Sequence, residues 1–399
     1  MESSQQEEIQ TATFDDLDAT LRGAGAEAAI DQLVQHLEQT REYRALLDAL
    51  LLKARHELGL PLVPVGPLSN LPEPARTRYE DRYVDAIRSV GSKLLASGDL
   101  PSAWSYFRAI GEPEPVSKAL SEYVPESGDE RLGTIIEVAF NQGANPRRGF
   151  ELILENYGTC SAITAFEHLP QDETTRTACA GLLVRQLHSH LVANLRAEIA
   201  QRGQPLPPEG TPIQGLLAGR DWLFSDEAYH IDVSHLGATV RLAPILADHS
   251  IIALAVELTD YGRCLSERHR YEGEPPFERT YEDHAVYLRA VLGQDVDAAI
   301  AHFRAKIAQG DNGGPAESYA AQVLVGLLVR LNRLDEAIDV AAEHLALLPE
   351  SALMCPSVAQ LCQRAGQPDR LAHIAREHGD LVNYAAAILQ NGVPERLPS

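Results

Sequence analysis

Apolar residues recur along most of this chain with the spacing of an α-helix. Residues 42–57 show the pattern clearly, with apolar side chains at Tyr43, Leu46, Leu47, Leu50 and Leu51. Intervals of three and four residues place these side chains on one face of a helix, where a neighbouring element can bury them. Alternation of apolar and polar residues, which would indicate a strand, never continues for more than about five residues. The pattern therefore predicts an all-α fold.

The same periodicity predicts where the helices lie. We expect helical segments over 13–40, 42–57, 79–96, 101–110, 131–142, 147–157, 174–202, 235–247, 249–266 and 280–292, and helix pairs throughout the C-terminal third. Five prolines between residues 61 and 74 predict an extended segment there, because proline interrupts a helix. Connections such as 97–99 are short, as antiparallel neighbouring helices require.

Two regions between these helices depart from the repeating pattern. Residues 203–234 are rich in proline and glycine at first and then in aromatic and polar residues, so we expect an irregular central insertion. Residues 271–277 form a turn-rich loop. After that loop, Thr280 and Asp283 have the spacing of a capping box, and His284 is expected to be a hydrogen-bonded core residue.

A small residue is repeatedly followed, four positions later, by an apolar or a second small residue. The pairs are Ala29/Leu33, Ala103/Phe107, Ala299/Phe303 and Ala337/Ala341. A small residue allows two helices to cross closely, and a larger one fills the neighbouring groove. Recurrence of this pair indicates stacked helix pairs.

The stretch 321–349 resembles a tetratricopeptide repeat. It carries the apolar residues, the small residue and the closing proline of that motif at Leu324, Leu327, Leu328, Ala337 and Pro349. A weaker copy covers residues 287–307. The resemblance implies an α-α superhelix with a concave groove that binds a protein or peptide.

These patterns divide the chain into three regions. Residues 1–170 are expected to form an N-terminal helical-repeat region, and residues 171–290 a central helical region that contains the irregular, histidine-rich segment. Residues 291–399 are expected to form tetratricopeptide-like helix pairs.

The net charge of the 399 residues, −23, limits the choice of partner. A nucleic-acid-binding protein needs a basic face, and an anionic membrane repels an acidic chain, so we expect neither partner. The longest apolar run, 251–256, is far shorter than a bilayer span. Because the first residues lack the basic and apolar parts of a secretory signal, we expect a cytoplasmic protein.

Histidine is concentrated in the central region. Seven of the fourteen histidines lie between residues 188 and 284, and imidazole is a common ligand of zinc and iron. If residues 229–233 are extended, His230 and Asp232 project from one side and His235 follows in the first helical turn, so this segment could supply three metal ligands. His190 is a fourth candidate ligand.

Acidic residues on a neighbouring predicted helix complete this hypothetical metal site. Glu257 and Asp260 lie one turn apart on the 249–266 helix and are candidate catalytic bases. The structural alternative is that His230 and His235 satisfy backbone groups in a loop, while either Asp232 or Ser234 caps the next helix. If these residues form a metal site, we expect His230 and His235 to lie outside the core.

Two functions therefore remain open from the sequence. The first is a helical-repeat interaction protein that binds a protein or peptide partner. Because this chain is acidic, we expect that partner to be basic. The second is a metal-dependent hydrolase or oxygenase with a divalent transition metal, such as zinc or iron, in the central region.

Overall fold

The computed structural model describes residues 14–64, 66–67, 71–310 and 315–392. It is 73% helical, and these ranges contain no β-strand beyond one isolated bridge between Glu272 and Arg279. The prediction of an all-α fold is confirmed. No helix within the described ranges has the length and hydropathy needed to cross a bilayer. The N-terminal residues that we examined for a secretory signal lie outside the described residues.

The chain forms two compact units, residues 1–153 and 154–399. In the first unit, consecutive helices pack as neighbours. Its helices are α1 (14–24), α2 (Ala26–Gln39), α3 (Tyr43–Glu57), α4 (Ala75–Ala96), α5 (Leu100–Ala109), α6 (Glu114–Glu122) and α7 (Leu132–Ile136), followed by a π-helical turn (Glu137–Asn141) and the start of α8 (Pro146–Glu167). The backbone leaves the helical conformation within α8 at Gly158, where φ is 80°.

The second unit continues the succession of neighbouring helix pairs. Its helices are α9 (Glu173–Gln201), α10 (Ile213–Leu217), α11 (Val233–Leu242), α12 (His249–Cys264), α13 (Thr280–Val291), α14 (Val296–Gln309), α15 (Pro315–Arg330), α16 (Leu334–His344), α17 (Val358–Ala365), α18 (Pro368–Glu377) and α19 (Leu381–Gly392). Between α9 and α11 the chain is largely irregular, as predicted for the insertion. The division into three functional regions remains a prediction.

Several predicted boundaries were wrong. The segment 13–40 breaks at Gly25, whose φ of 91° favours glycine and separates α1 from α2. The helix predicted over 131–142 changes to π-helical geometry after Ile136. The described part of the stretch 61–74 contains no helix, as expected, while residues 65 and 68–70 lie outside the described residues.

Small residues do mark close helix crossings, although some of them lie on the partner helix. In the first unit, a Cβ on Gly91 of α4 would come within 2.9 Å of the Phe107 ring of α5. In the second unit, a Cβ on Gly262 of α12 would come within 2.4 Å of the Tyr281 ring of α13. Glycine at each position lets an aromatic ring pack directly on the backbone of the next helix.

The packing of α15 against α16 is compatible with a helical repeat. The apolar residues of α15 that match the motif are fully buried, and Ala337 and Ala341 of α16 are buried with them. The two helices pack directly against each other. Ala337 has no exposed surface, so a larger side chain at this position must displace its neighbours.

Replacing Ala337 with Leu is expected to lower the free energy of unfolding by about 1–3 kcal/mol, because extra methylene groups must force the helices apart. Urea denaturation measures the change. Glu343→Leu on the same helix is the matched control, since the Glu343 side chain is 74% exposed and surface changes usually cost less than about 0.5 kcal/mol. Equal midpoints for Ala337→Leu and the unmodified protein would contradict the close crossing.

Candidate functional site

The candidate site residues all lie in the second unit, on or between α9, α11 and α12. Helix α9 packs against both α11 and α12, and the irregular segment 202–232 connects α9 to α11. Asp172 begins α9 by accepting a hydrogen bond from the Thr175 amide, and Asp248 begins α12 in the same way through Ser250.

Glu257 holds two elements together. Its carboxylate accepts hydrogen bonds from Nε2 of His188 on α9 (3.1 Å) and from the backbone amide of Ile213 at the start of α10 (2.7 Å). Burial by itself would raise the pKa of Glu257, but the two hydrogen bonds bring the pKa below its usual value. An ionised carboxylate with these partners anchors the irregular segment and is poorly placed to accept a substrate proton.

Asp260 is also fully engaged. One carboxylate oxygen accepts from Gln214 (2.7 Å) and the other from Arg289 on α13 (2.6 Å), and the residue is 8% exposed. It lines a cavity of about 490 Å³ together with Asp221, Arg263 and Glu282. The ion pair with Arg289 indicates a structural contact between α12 and α13.

His230 is buried, which contradicts the expectation that it lies outside the core. Its side chain packs edge-on against Phe224, and Nδ1 lies 3.0 Å from the Tyr261 hydroxyl, which also accepts from the His230 amide (2.8 Å). Nε2 lies 3.6 Å from the Glu198 carboxylate. Burial lowers the pKa of His230 and raises that of Tyr261. The neutral imidazole therefore acts as a packed bridge between the irregular segment and α12.

Asp232 and His235 are held by the start of α11. The Asp232 carboxylate caps this helix by accepting from the amides of Ser234 (2.8 Å) and His235 (3.2 Å), and the hydrogen bond from the Ser234 hydroxyl lowers its pKa. Asp232, and not Ser234, is therefore the cap. His190 lies exposed on α9, where its Nε2 accepts a hydrogen bond from the side-chain amide nitrogen of Gln186 (3.0 Å).

These contacts differ from those of a metal site. His230 contacts Tyr261, the Asp232 carboxylate accepts from the backbone amide of His235, and His190 pairs with Gln186. Within the described ranges, no group of three or more His, Cys, Asp or Glu side chains is arranged to hold a metal ion. The region supports the packing of α9, α11 and α12, and nothing in its geometry favours the metal-dependent chemistry considered from the sequence.

A larger cleft of about 860 Å³ lies elsewhere in the second unit. Its walls come from the loop 272–277, from α11 and α13, from α15 and from the segment that precedes α17. The lining side chains are mainly apolar, and they include Pro244, Pro276, Phe277, Tyr319, Val323 and Met354. Tyr319 is 46% exposed and Met354 is 74% exposed. The cleft therefore presents an accessible apolar surface between helix pairs.

His284 contributes the buried polar group of this cleft. The residue is 2% exposed, and its ring stacks on Phe277 at a centroid distance of 4.1 Å. Nδ1 lies 2.6 Å from the carbonyl oxygen of Thr280, one turn earlier on α13. Burial lowers the pKa of His284 to about 4. The expectation of a hydrogen-bonded core histidine is confirmed, but the same ring also forms part of the cleft wall.

An ionic cluster around Asp283, the residue before His284, joins the start of α13 to α14. Asp283 is fully buried and accepts hydrogen bonds from Nε2 of His302 (2.9 Å), from Nζ of Lys306 (3.1 Å) and from the Arg279 amide (2.9 Å). The predicted capping box was wrong, because the residue before the helix is Arg279, and Asp283 accepts from the amide of Arg279 and not from that of Thr280. Thr280 instead donates its hydroxyl to the carbonyl of Tyr271 and closes the loop 271–280.

The sequence did not predict this cleft. The loop 271–277 was recognised as turn-rich. The walls of the cleft, however, also include residues from α15 and from a segment about eighty residues later in the sequence than the loop. A scan against protein-family models and a search of curated proteins found no match to this chain. Membership of the tetratricopeptide family therefore remains a prediction.

Proposed function

We propose that the second unit binds a basic peptide segment of a partner protein in the cleft between the loop 272–277 and α15. The observation that supports this most is the cleft itself. Its volume of about 860 Å³ lies in the range of ligand sites, roughly 300–1,000 Å³, whose walls are mainly apolar with a few polar groups. A pocket of this size accommodates a few side chains of an extended peptide.

The chemistry of the wall suits a peptide side chain. Tyr319 and Met354 project their apolar surface toward solvent, and such residues are enriched in protein interfaces. Phe277 and the neighbouring prolines provide a rigid base, because the ring of Phe277 packs edge-on against Phe303 (5.7 Å). A preformed wall lowers the conformational entropy that binding would otherwise lose.

The charge at the rim supports a basic partner. Glu272 and Glu274 line the cleft, and both are exposed. Arg241 lines the same cleft and can donate hydrogen bonds to peptide carbonyl groups. Together with the net charge of −23, the two glutamates would accelerate association with a cationic peptide, and salt would weaken that attraction.

The architecture is compatible with this role. Neighbouring helix pairs are how tetratricopeptide proteins build a surface for partner segments, and α15 carries both motif residues and the cleft residues Tyr319 and Val323. A cytoplasmic partner is consistent with the location predicted from the sequence.

An array of short peptides tests the proposal. Each peptide carries lysine on both sides of a central residue, and all twenty residues are placed at the centre. We expect the protein to retain peptides with large apolar or aromatic centres, and we expect binding to weaken at least tenfold when salt rises from about 0.05 to about 0.5 M.

Reversal of the charges at the rim tests whether the peptide binds in this cleft. The double variant Glu272→Lys, Glu274→Lys is expected to lose most of the low-salt affinity, while Glu343→Lys on the exposed face of α16 keeps it. Retention of no peptide, or an equal loss in Glu343→Lys, would contradict binding in this cleft.

A further inference from the structure

We infer that the cleft selects a peptide whose central residue is an aromatic side chain with a hydrogen-bond donor, tyrosine or tryptophan, and that Nε2 of His284 accepts that hydrogen bond. This inference rests on the proposed function and specifies the residue that the cleft recognises. It follows from the tautomer of His284, from its lack of a second partner and from the apolar wall around it.

The hydrogen bond to the backbone determines the tautomer. A carbonyl oxygen can only accept, so Nδ1 of His284, 2.6 Å from the carbonyl oxygen of Thr280, must carry the proton. Because burial keeps the pKa of the ring near 4, the imidazole is neutral around pH 7. Nε2 is then unprotonated and can act only as an acceptor.

Nε2 of His284 makes no hydrogen bond within the described parts of the chain, where the ring's only such bond is the one from Nδ1. Nε2 is not among the fully buried polar atoms that lack a hydrogen bond in the described residues, so it keeps some contact with solvent, and His284 lines the cleft. A ligand in the cleft can therefore donate a hydrogen bond to Nε2 in place of water. The net contribution of such a hydrogen bond is typically about 0.5–1.5 kcal/mol.

The surroundings of His284 favour an aromatic donor over an aliphatic one. Phe277 stacks on the imidazole with an interplanar angle of 27°, which fixes the direction of Nε2. Pro244, Val323 and Met354 complete an apolar wall that a small hydroxyl side chain would leave unfilled. The ring of tyrosine or tryptophan fills such a wall and carries an O–H or N–H at its edge.

A cationic side chain fits this position poorly. Arg241 lines the same cleft, and its positive charge contributes to lowering the pKa of His284. The basic residues of the peptide are therefore expected at Glu272 and Glu274 on the rim, and the uncharged aromatic residue at His284.

Two matched peptides test the inference, one with tyrosine and one with phenylalanine between the same lysines. We expect the unmodified protein to bind the tyrosine peptide about two- to tenfold more tightly, as one net hydrogen bond typically provides. In His284→Phe, which keeps the stacking on Phe277, the two affinities should become equal while the phenylalanine peptide binds as before. Binding of that peptide also shows that the variant is folded.

A ¹⁵N NMR spectrum of the unmodified protein gives a readout that needs no variant. The tyrosine peptide should shift the Nε2 resonance of His284, and the phenylalanine peptide should not. Equal affinities for the two peptides, or a preference that persists in His284→Phe, would overturn the inference and leave the cleft as a binding site. Absence of binding by either peptide would instead overturn the proposed function.

Discussion

Replacing Asp283 with Asn is expected to lower the free energy of unfolding of the second unit by about 3–5 kcal/mol, the usual cost of removing one partner of a buried ion pair. Asp283 is fully buried, and Lys306, whose side chain is only 13% exposed, donates to it. Asparagine keeps the size of the side chain and an acceptor for the Arg279 amide, but it removes the fully buried member of the two carboxylates that pair with Lys306, the other being Glu278. Urea denaturation measures the loss.

The double variant Asp283→Asn, Lys306→Met separates charge from packing. Because it removes both charges, it should recover much of the stability that Asp283→Asn loses. Glu227→Gln is the exposed control, since its partner Arg268 is 70% exposed and such pairs contribute at most about 1 kcal/mol. A loss below about 1 kcal/mol in Asp283→Asn would show that the cluster does not hold α13 in place.

Acidification is expected to destabilise the second unit through His284 by about 2–3 kcal/mol between pH 7.5 and pH 4.5. The usual pKa of a histidine is about 6.5, and burial lowers that of His284 to about 4 in the folded protein. Above pH 6.5 neither state binds the proton. Below it the unfolded chain takes up a proton that the folded protein does not, so stability falls as the pH falls.

His284→Phe provides the reference for this measurement. The pKa values of some carboxylates, such as Glu257 and Glu278, are lowered in the folded protein, so their protonation also lowers the stability of the protein in acid. Their contribution cancels when the pH dependence of the variant is subtracted from that of the unmodified protein. If the two proteins lose the same stability between pH 7.5 and pH 4.5, His284 is not a neutral buried histidine.

The helical pattern predicted most of the fold because burial of an apolar stripe is a local property of the sequence. Segment 174–202 became α9, and segment 249–266 became α12, with boundaries that moved by one or two residues. The errors occurred where the backbone conformation of one or a few residues determines the end of a helix, as at Gly25 and after Ile136. Periodicity alone does not show such a change.

The candidate site was predicted less well because its contacts join distant parts of the chain. The candidate histidine and carboxylate residues lie on or between α9, α11 and α12. The partner of Glu257, the amide of Ile213, lies 44 residues away, and the partner of Asp260 on α13 lies 29 residues away. Spacing indicated which residues could act as ligands, but only the packed structure shows the partners that the carboxylates of Asp232, Glu257 and Asp260 have.

The irregular segment 202–232 obtains its stability from its neighbours. Glu257 holds the Ile213 amide, Asn194 of α9 donates to the carbonyl of His230, and Tyr261 of α12 accepts from the His230 amide. Such a segment cannot open on its own without leaving these side chains unsatisfied. Its anchored amides should therefore exchange with solvent as part of one cooperative unit with α9 and α12, although little regular secondary structure protects them.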